Sequence, residues 1–408
     1  MAVEAIKPRP AAFIFIFITV ALDMLAIGII IPVLPKLIES FADGNTARAA
    51  EIVGIFGTTW AVIQFLFSPA LGSLSDRFGR RPIVLLSNLG LGLDYIFMAL
   101  APTLSWLFIG RIISGFTSAS IATAGAYIAD VSPPEKRAQN FGMLGAAFGF
   151  GFVLGPAIGG LLGSYDLRYP FWAAAFMSLT NFAYGYFILP ESLKPENRAP
   201  FSWAKANPLG SVKLLLRHRE LWGLGLVQFL SQLAHTSLPA VYVLYAGYRY
   251  GWGPGEVGFL LAGVGVASVA VQGGLVKPIV KRIGERPALL LGLFLGAIGM
   301  IWYGAAWTGA LAWIAVPVAA FWGLFGATSQ SVMSQRVSAS EQGQLQGATA
   351  SITACAGIIG PFLFAYIFAR SIDPTLGINL PGAALWLAGF FLALAFLFAA
   401  WQLGKASR

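Results

Sequence analysis

The sequence predicts an all-α integral membrane protein: twelve transmembrane helices in two six-helix bundles related by pseudo-two-fold symmetry. Three observations predict it. The 408 residues are 57% hydrophobic and only 11% charged, whereas a soluble domain usually carries about 25% charged residues to face water. Twelve apolar stretches are long enough to cross about 30 Å of hydrocarbon, which takes roughly 20 residues of helix. Motifs in the two halves of the chain also repeat at a single offset of 205 residues.

The first run, residues 11–37, follows Lys7 and Arg9 as a signal peptide would. It continues past Asp23 to Leu37 with no small-residue cleavage site, so it is expected to stay as a helix. Runs at 51–74, 82–101, 104–128, 139–163 and 170–190 complete a first bundle. Runs at 219–246, 255–276, 287–307, 311–334, 344–370 and 382–403 make a second. Only Pro102 separates the third span from the fourth, and only Gly309 the ninth from the tenth. Glu191 to Glu220 holds three prolines and six basic residues, the composition of a linker. The expected division is therefore 1–190, a linker at 191–218, and 219–408.

Lysine and arginine test the number of spans, because cytoplasmic loops collect them. With both termini inside, 20 of the 26 basic residues fall on the inner side. Lys36, Arg48, Arg168, Arg249 and Arg370 fall outside, Arg111 alone lies within a span, and an odd helix count would destroy this alternation. The net charge of +9 does not describe a nucleic-acid binder, since the basic residues are dealt out between apolar segments instead of forming one soluble face. The single cysteine, Cys355, excludes an internal disulfide and a thiolate metal cluster. His218 and His235 form no HExxH-like cluster, so neither a metal, a cofactor nor enzyme chemistry is expected.

The repeat aligns DRFGRRPIVLL, from Asp76, with KRIGERPALLL, from Lys281. The same shift places Gln139 on Gln344, Gly142 on Gly347, and Gly155-Pro156 on Gly360-Pro361. Parallel repeats of this kind place a substrate pathway between them near the bilayer midplane.

The stretch LGSLSDRFGRRP, Leu71 to Pro82, concentrates charge in a chain that avoids it. On one reading Arg77, Arg80 and Arg81 are only the positive charge any tight cytoplasmic turn attracts. That reading leaves out Asp76 and the glycines Gly72 and Gly79. On the other reading the loop is a latch: Gly72 permits close helix approach, and Asp76 meets a helix N-terminus, where the dipole is positive. Arg77 or Arg81 would pair with Asp130, which ends the fourth span. Losing one charge-assisted contact costs about 1.5 to 3 kcal/mol, enough to shift a two-state population tenfold. The second copy carries Lys281 in place of Asp76 and Glu285 in place of Arg80, so the two loops are not equivalent.

Ionisable residues within a span are expensive and are functional candidates. Asp23 lies near the middle of the first span, either as a proton site or as a carboxylate satisfied by a neighbouring helix. Asp94 in the third span is too short to snorkel; it either takes part in function or braces packing. Arg111 needs an anionic partner, which Asp23 or Asp94 can supply. His235 is either a proton shuttle or a hydrogen-bonded lining residue. Gln64, Asn181, Gln228, Gln232 and Gln330, with rings such as Tyr242, suit a cavity for an amphipathic organic molecule. GFVLGPAIGG, which contains Gly151, Gly155, Pro156, Gly159 and Gly160, lacks the strand and the lysine of a phosphate loop. Its glycines are expected to permit close packing while Pro156 bends the helix between the halves.

GSLSDRFGRRP resembles the loop signature of the major facilitator superfamily, and GRIISG, with Arg111 and Gly115, resembles that superfamily's helix-four basic motif. GFVLGPAIGG is similar to the helix-five signature associated with drug/proton antiporters. LDMLAIGIIIPVLP, SDRFGRRP followed by LGLDYIF, EQGQLQG and IIGPFLF together resemble the tetracycline/proton antiporter family over nearly the whole chain. The resemblance implies an acidic residue at Asp23, a carboxylate at Asp94, and an Asp76 that faces helix eleven of the other half; Asp23 is the first choice for binding the proton, with Arg111 and Asp94 as its partners. Tetracycline antiporters carry an acidic residue in helix nine and a histidine in helix eight; alignment places Gly296 and Ser268 there. The expected function is proton-coupled efflux of an amphipathic small molecule by alternating access, in a bacterial inner membrane, with one chain sufficient. The alternative is a facilitator or proton symporter of a metabolite on the same fold.

Overall fold

A computed structural model of the chain describes residues 10–117, 120–201, 219–338 and 341–405. Residues 202–218, most of the expected linker, lie outside the described residues, as do Lys7 and Arg9. Every regular element among the described residues is helical. In chain order these are α1 (Pro10–Ile30), α2 (Leu34–Phe41), α3 (Thr46–Phe78), α4 (Arg80–Leu100), α5 (Leu104–Thr117), α6 (Ser120–Val131), α7 (Pro134–Tyr165) and α8 (Tyr169–Ile188). There follow α9 (Arg219–His235), α10 (Ser237–Tyr250), α11 (Pro254–Ala270), a π-helical turn at Val271–Leu275, α12 (Val276–Ile283) and α13 (Glu285–Ala305). The chain closes with α14 (Gly309–Ala320), α15 (Gly323–Ser334), α16 (Gln342–Ser371) and α17 (Ala383–Lys405).

These elements make up the twelve expected spans. Nine candidate spans among the described residues are long and apolar enough to cross a membrane as they stand. The others are α5 with α6, α8, and α9 with α10. The break between α9 and α10 has a local cause. Pro239 cannot donate to the carbonyl of His235, and the Thr236 backbone N–H and hydroxyl both turn back to Leu233 O, at 3.1 and 2.7 Å. Large apolar side chains stand exposed all along the helices, Phe187 to 81% and Phe176 to 72%, as suits a protein whose solvent is lipid.

The repeat is visible in the backbone. Gly79 and Gly284 both take positive φ, 106° and 85°, a conformation that favours glycine. Each opens a helix of 21 residues, α4 and α13, whose boundaries differ by the same 205 positions.

Packing divides the chain into two compact units. One comprises Met1–Ile31 with Val62–Asn207, the other Pro32–Ala61 with Pro208–Arg408. Pro32–Ala61 groups with the second unit because this segment packs on α16 and α10. Thr58 Oγ1 donates to Ile358 O at 2.8 Å, and Gly247 leaves room for the Lys36 ammonium, which a Cβ would strike. The core of the first unit gathers Ile16, Val20 and Met24 of α1 with Val84, Tyr127, Ile128 and Ala147. The Tyr127 hydroxyl finds Pro190 O at 2.8 Å.

Candidate functional site

The first unit contains a buried polar cluster in otherwise apolar helices. Asp23 on α1 is 2% exposed and needs donors from neighbouring helices. Asn181 of α8 supplies one: its Nδ2 donates to Asp23 Oδ1 at 2.8 Å and to Thr19 O at 2.9 Å. Asn88 of α4 supplies another. With its amide oriented to satisfy both neighbours, its nitrogen stands 3.0 and 3.2 Å from the Asp23 oxygens and its oxygen accepts from Asn181 at 3.1 Å. Asn181, expected in a substrate cavity, is thus fully buried and serves Asp23.

Asp94 lies farther along α4 and differs in kind. It is equally buried, yet neither carboxylate oxygen has a hydrogen-bond partner among the described residues. Gly110 of α5 lets the helices approach, since a Cβ there would sit 3.2 Å from Asp94 Oδ1. The next residue, Arg111, supplies the positive charge that acts on Asp94, and both act on Tyr95, which also feels Asp23. The structure therefore gathers Asp23, Asp94 and Arg111 into one unit, with Asn88, Asn181 and Tyr95 as additional members.

The charged loop between α3 and α4 is built around Arg80. Its guanidinium pairs with Asp76 at 2.5 Å and with Asp130 at 3.2 Å, and donates to Ser75 Oγ at 2.6 Å. The expected pairing of Asp130 with Arg77 or Arg81 is corrected here. Successive residues on a helix point about 100° apart, so Arg81 reaches Tyr186 O at 2.6 Å instead, and Arg77 lies over the Phe78 ring, 5.1 Å from its centroid. Nothing among the described residues lies within 4 Å of where a Cβ at Gly72 would be. Sequence reasoning missed Glu191, which accepts from the backbone N–H groups of Arg80 and Arg81 at 2.9 and 3.3 Å. Its only signal was an acid directly after Pro190.

The helix-five motif packs within the first unit. Gly151 meets Met24, Gly155 meets Gly28, with 2.6 Å from a built Cβ to Gly28 Cα, and Gly159 meets Ile29. Pro156 lies on the same face, 3.3 Å from a Cβ built at Gly28, and Gly160 is buried. The glycines permit close packing, and the helix they bring α7 against is the one that carries Asp23.

The remaining cavity candidates are distributed over both units. Gln64 is half-buried on α3 in the first. In the second, Gln228 accepts from Ser329 at 3.1 Å and Gln232 donates to Thr353 at 3.0 Å. His235 is exposed and Gln330 half-buried. Tyr242 is fully buried, its ring 5.5 Å from that of Tyr303. Gly296 of α13 is covered by Trp322, whose Cγ would be 2.9 Å from a Cβ there, so no acidic side chain fits without displacing that ring. An apolar groove of about 370 Å³ lined by Ile298, Ile301, Trp302 and Trp307 is separate from all these groups.

Residues 16–361 match the family model of the Major Facilitator Superfamily. The chain is 38% identical over 380 residues to tetracycline resistance protein, class C, of Escherichia coli, covering 92% of this chain and 94% of that one. It is 35% identical to the class B protein of the same organism, over 86% and 87% of the two chains. Multidrug resistance protein 2 of Bacillus subtilis is 26% identical, over 90% and 92%. Among solved structures, the human organic anion transporter MFSD10 superimposes with a TM-score of 0.70 at 23% identity, covering 96% of this chain and 100% of that one. The nucleoside transporter NupG gives 0.77 at 12%, over 95% and 98%. These structures are transporters, not enzymes, and they share the fold of this chain. The chain belongs to the major facilitator superfamily and, within it, to the family of the tetracycline resistance proteins.

Proposed function

We propose that the protein is a secondary active transporter that exports an amphipathic small organic molecule in exchange for protons by alternating access. The supporting observation is Asp94, a buried membrane carboxylate with no hydrogen-bond donor among the described residues, in the field of Arg111. Ionised, it answers the guanidinium; protonated, it releases Arg111 to meet a substrate or another carboxylate. Asp23 takes a different part in this reading. The two amides that hold it suit a fixed anion that orients α1, α4 and α8, so Asp94 replaces it as the proton carrier.

The Asp76 loop, with Gly79, Arg80 and Asp130, stabilises one state of the cycle, and the α7 glycines hold α1 in place. The two halves divide near the linker, one copy of the chain suffices, both termini are cytoplasmic, and the membrane is a bacterial inner membrane. Tetracycline, named in the relatives, is the first substrate to test.

The test is proton release and substrate binding by purified protein, with Asp94→Asn and Asp23→Asn variants. The reading expects substrate-dependent release from wild type, its loss in Asp94→Asn with binding retained, and weakened release in Asp23→Asn. Binding without release in wild type rejects antiport and favours the facilitator.

A further inference from the structure

The two copies of the repeated loop use their charge differently. In the first, Arg80 is neutralised by Asp76 and Asp130 and held by Ser75, and Arg81 donates to Tyr186 O. In the second, the shift of 205 places Lys277 where the first has Gly72, Lys281 where it has Asp76, and Glu285 where it has Arg80. Lys277, Lys281, Arg282 and Arg286 are all exposed, and none of their side chains has a hydrogen bond or ion pair among the described residues. Glu285, the acid that interrupts them in sequence, is engaged elsewhere: it accepts from Ser331 Oγ at 2.7 Å and from Gln335 Nε2 at 3.0 Å. Lys277 and Lys281 stand four apart on α12, and like charges at that spacing repel. The patch carries a cost that an anion from outside the protein removes.

The depth of these residues identifies the anion. α11, the π-helical turn and α12 form one element of 30 residues, Pro254–Ile283, about 45 Å long at 1.5 Å per residue. That exceeds the roughly 30 Å of hydrocarbon and matches a bilayer with its headgroups, about 40 to 45 Å. Trp252, packed on Gly309, and Trp307, 70% exposed, mark one interface as an aromatic belt does. Lys277 follows Trp252 by 25 residues and Arg286 precedes Trp307 by 21, about 37 and 31 Å of helix. Both spans therefore set their cations in the opposite headgroup layer. α12 packs on α13 and α15; its Val276, Ile279 and Val280, at i, i+3 and i+4, are half-buried while its cations are exposed. The helix thus turns its basic side away from the protein.

We infer that Lys277, Lys281, Arg282 and Arg286 form a binding site for the headgroup of an anionic phospholipid of the surrounding bilayer. The lipid phosphate supplies the negative charge that Asp76 supplies in the first copy. The guanidinium groups fork onto phosphate oxygens, and the lysines add point charge. A zwitterionic lipid brings its own cation and gains less from the patch. A free phosphate carries the charge but lacks the acyl chains that hold a lipid at this depth. The inference holds whatever solute the chain carries and whether or not protons drive it.

The test is a titration of the purified full chain in detergent with phosphatidylglycerol, phosphatidylcholine or glycerol phosphate, read by native mass spectrometry. Wild type is expected to hold phosphatidylglycerol most tightly. Lys277→Gln with Lys281→Gln is expected to weaken it about thirtyfold at low salt, the scale for two basic residues at an anionic surface, and to leave phosphatidylcholine unchanged. Lys277→Arg with Lys281→Arg should bind as wild type does. Arg48→Gln with Arg249→Gln removes the same charge at exposed positions outside the patch and should change nothing. Unchanged phosphatidylglycerol binding in the double glutamine variant overturns the inference. So does an equal loss in the Arg48 and Arg249 control, which would make net charge the cause, or a wild type that does not distinguish the two lipids. Glycerol phosphate bound as tightly as phosphatidylglycerol also overturns it, since the occupant is then a free phosphate.

Discussion

Glu191 caps the helix that Arg80 opens: Oε1 accepts from the Arg80 N–H at 2.9 Å and Oε2 from the Arg81 N–H at 3.3 Å. The first turn of a helix leaves N–H groups without partners and carries the positive end of its dipole. A carboxylate from the far end of the first unit, in the turn after α8, thus ties α8 to the loop between α3 and α4. Glu191→Ala is expected to cost about 1 to 2 kcal/mol, the scale of losing a charged cap. Glu191→Gln should recover part of it, since one oxygen can still accept. Thermal unfolding in detergent at low and high salt checks this, and no difference between the alanine variant and wild type would remove the cap from the account.

Gly79 and Gly284 form a matched pair for measuring backbone and side-chain effects apart. Both adopt positive φ, so alanine is strained at either, by about 1 kcal/mol or more. At Gly79 the new Cβ also collides with the Glu191 carboxylate, whereas at Gly284 the nearest atom, Pro287 Cδ, is an ordinary 3.8 Å away. Gly79→Ala is therefore expected to destabilise more than Gly284→Ala. When Glu191→Ala is already present, the excess should shrink. Equal losses at the two positions, with and without Glu191→Ala, would contradict the collision.

Much of the fold was legible because lipid imposes its own pattern. Apolar length gave the spans, and the doubled DRFGRRP and KRIGERP gave a repeat that Gly79 and Gly284 reproduce in φ. The site was legible residue by residue, not contact by contact. Asp23, Asp94 and Arg111 stand out as charges in apolar runs, but nothing in one sequence says that Asn181, 158 positions from Asp23, is its donor. Arg80 rather than Arg81 meets Asp130 because of helix rotation, which a loop quoted as a string does not carry. The glycines of GFVLGPAIGG declared a close contact without naming α1 as the partner.

Those α7 glycines make a graded prediction. A Cβ at Gly159 runs into the Ile29 carbonyl and one at Gly155 into Gly28 Cα at 2.6 Å, while Gly142 and Gly145 on the same helix have nothing within 4 Å among the described residues. Backbone cannot move aside as a flexible side chain can, and overpacking typically costs about 1 to 3 kcal/mol. Gly159→Ala and Gly155→Ala are expected to lower stability by that amount, and Gly142→Ala and Gly145→Ala to be neutral or slightly stabilising. Because α1 carries Asp23 next to Met24, which Gly151 contacts, the damaging pair should also reduce proton-coupled transport. A flat stability series across the four positions would reject the packing explanation.

Thr58 and Pro361 should be coupled. Pro361 lies inside α16 and has no N–H for the carbonyl of Gly357 one turn earlier, which loosens the backbone beside Ile358. Thr58 of α3 donates its hydroxyl to Ile358 O at 2.8 Å, the way a neighbouring helix re-satisfies backbone loosened by proline. Gly57 of the same helix permits the approach, for a Cβ there would lie 2.8 Å from Pro361 Cβ. Thr58→Val keeps the shape and removes the donor, at an expected cost of about 0.6 kcal/mol, the average for an interhelical hydrogen bond in a membrane. Pro361→Ala restores an N–H and closes the turn, so the hydroxyl should then matter less. A double-mutant cycle read by thermal unfolding measures the difference directly. A coupling energy of the expected sign ties the hydroxyl to the proline turn. Strict additivity would mean that Thr58 contributes an ordinary helix contact, independent of the break in α16.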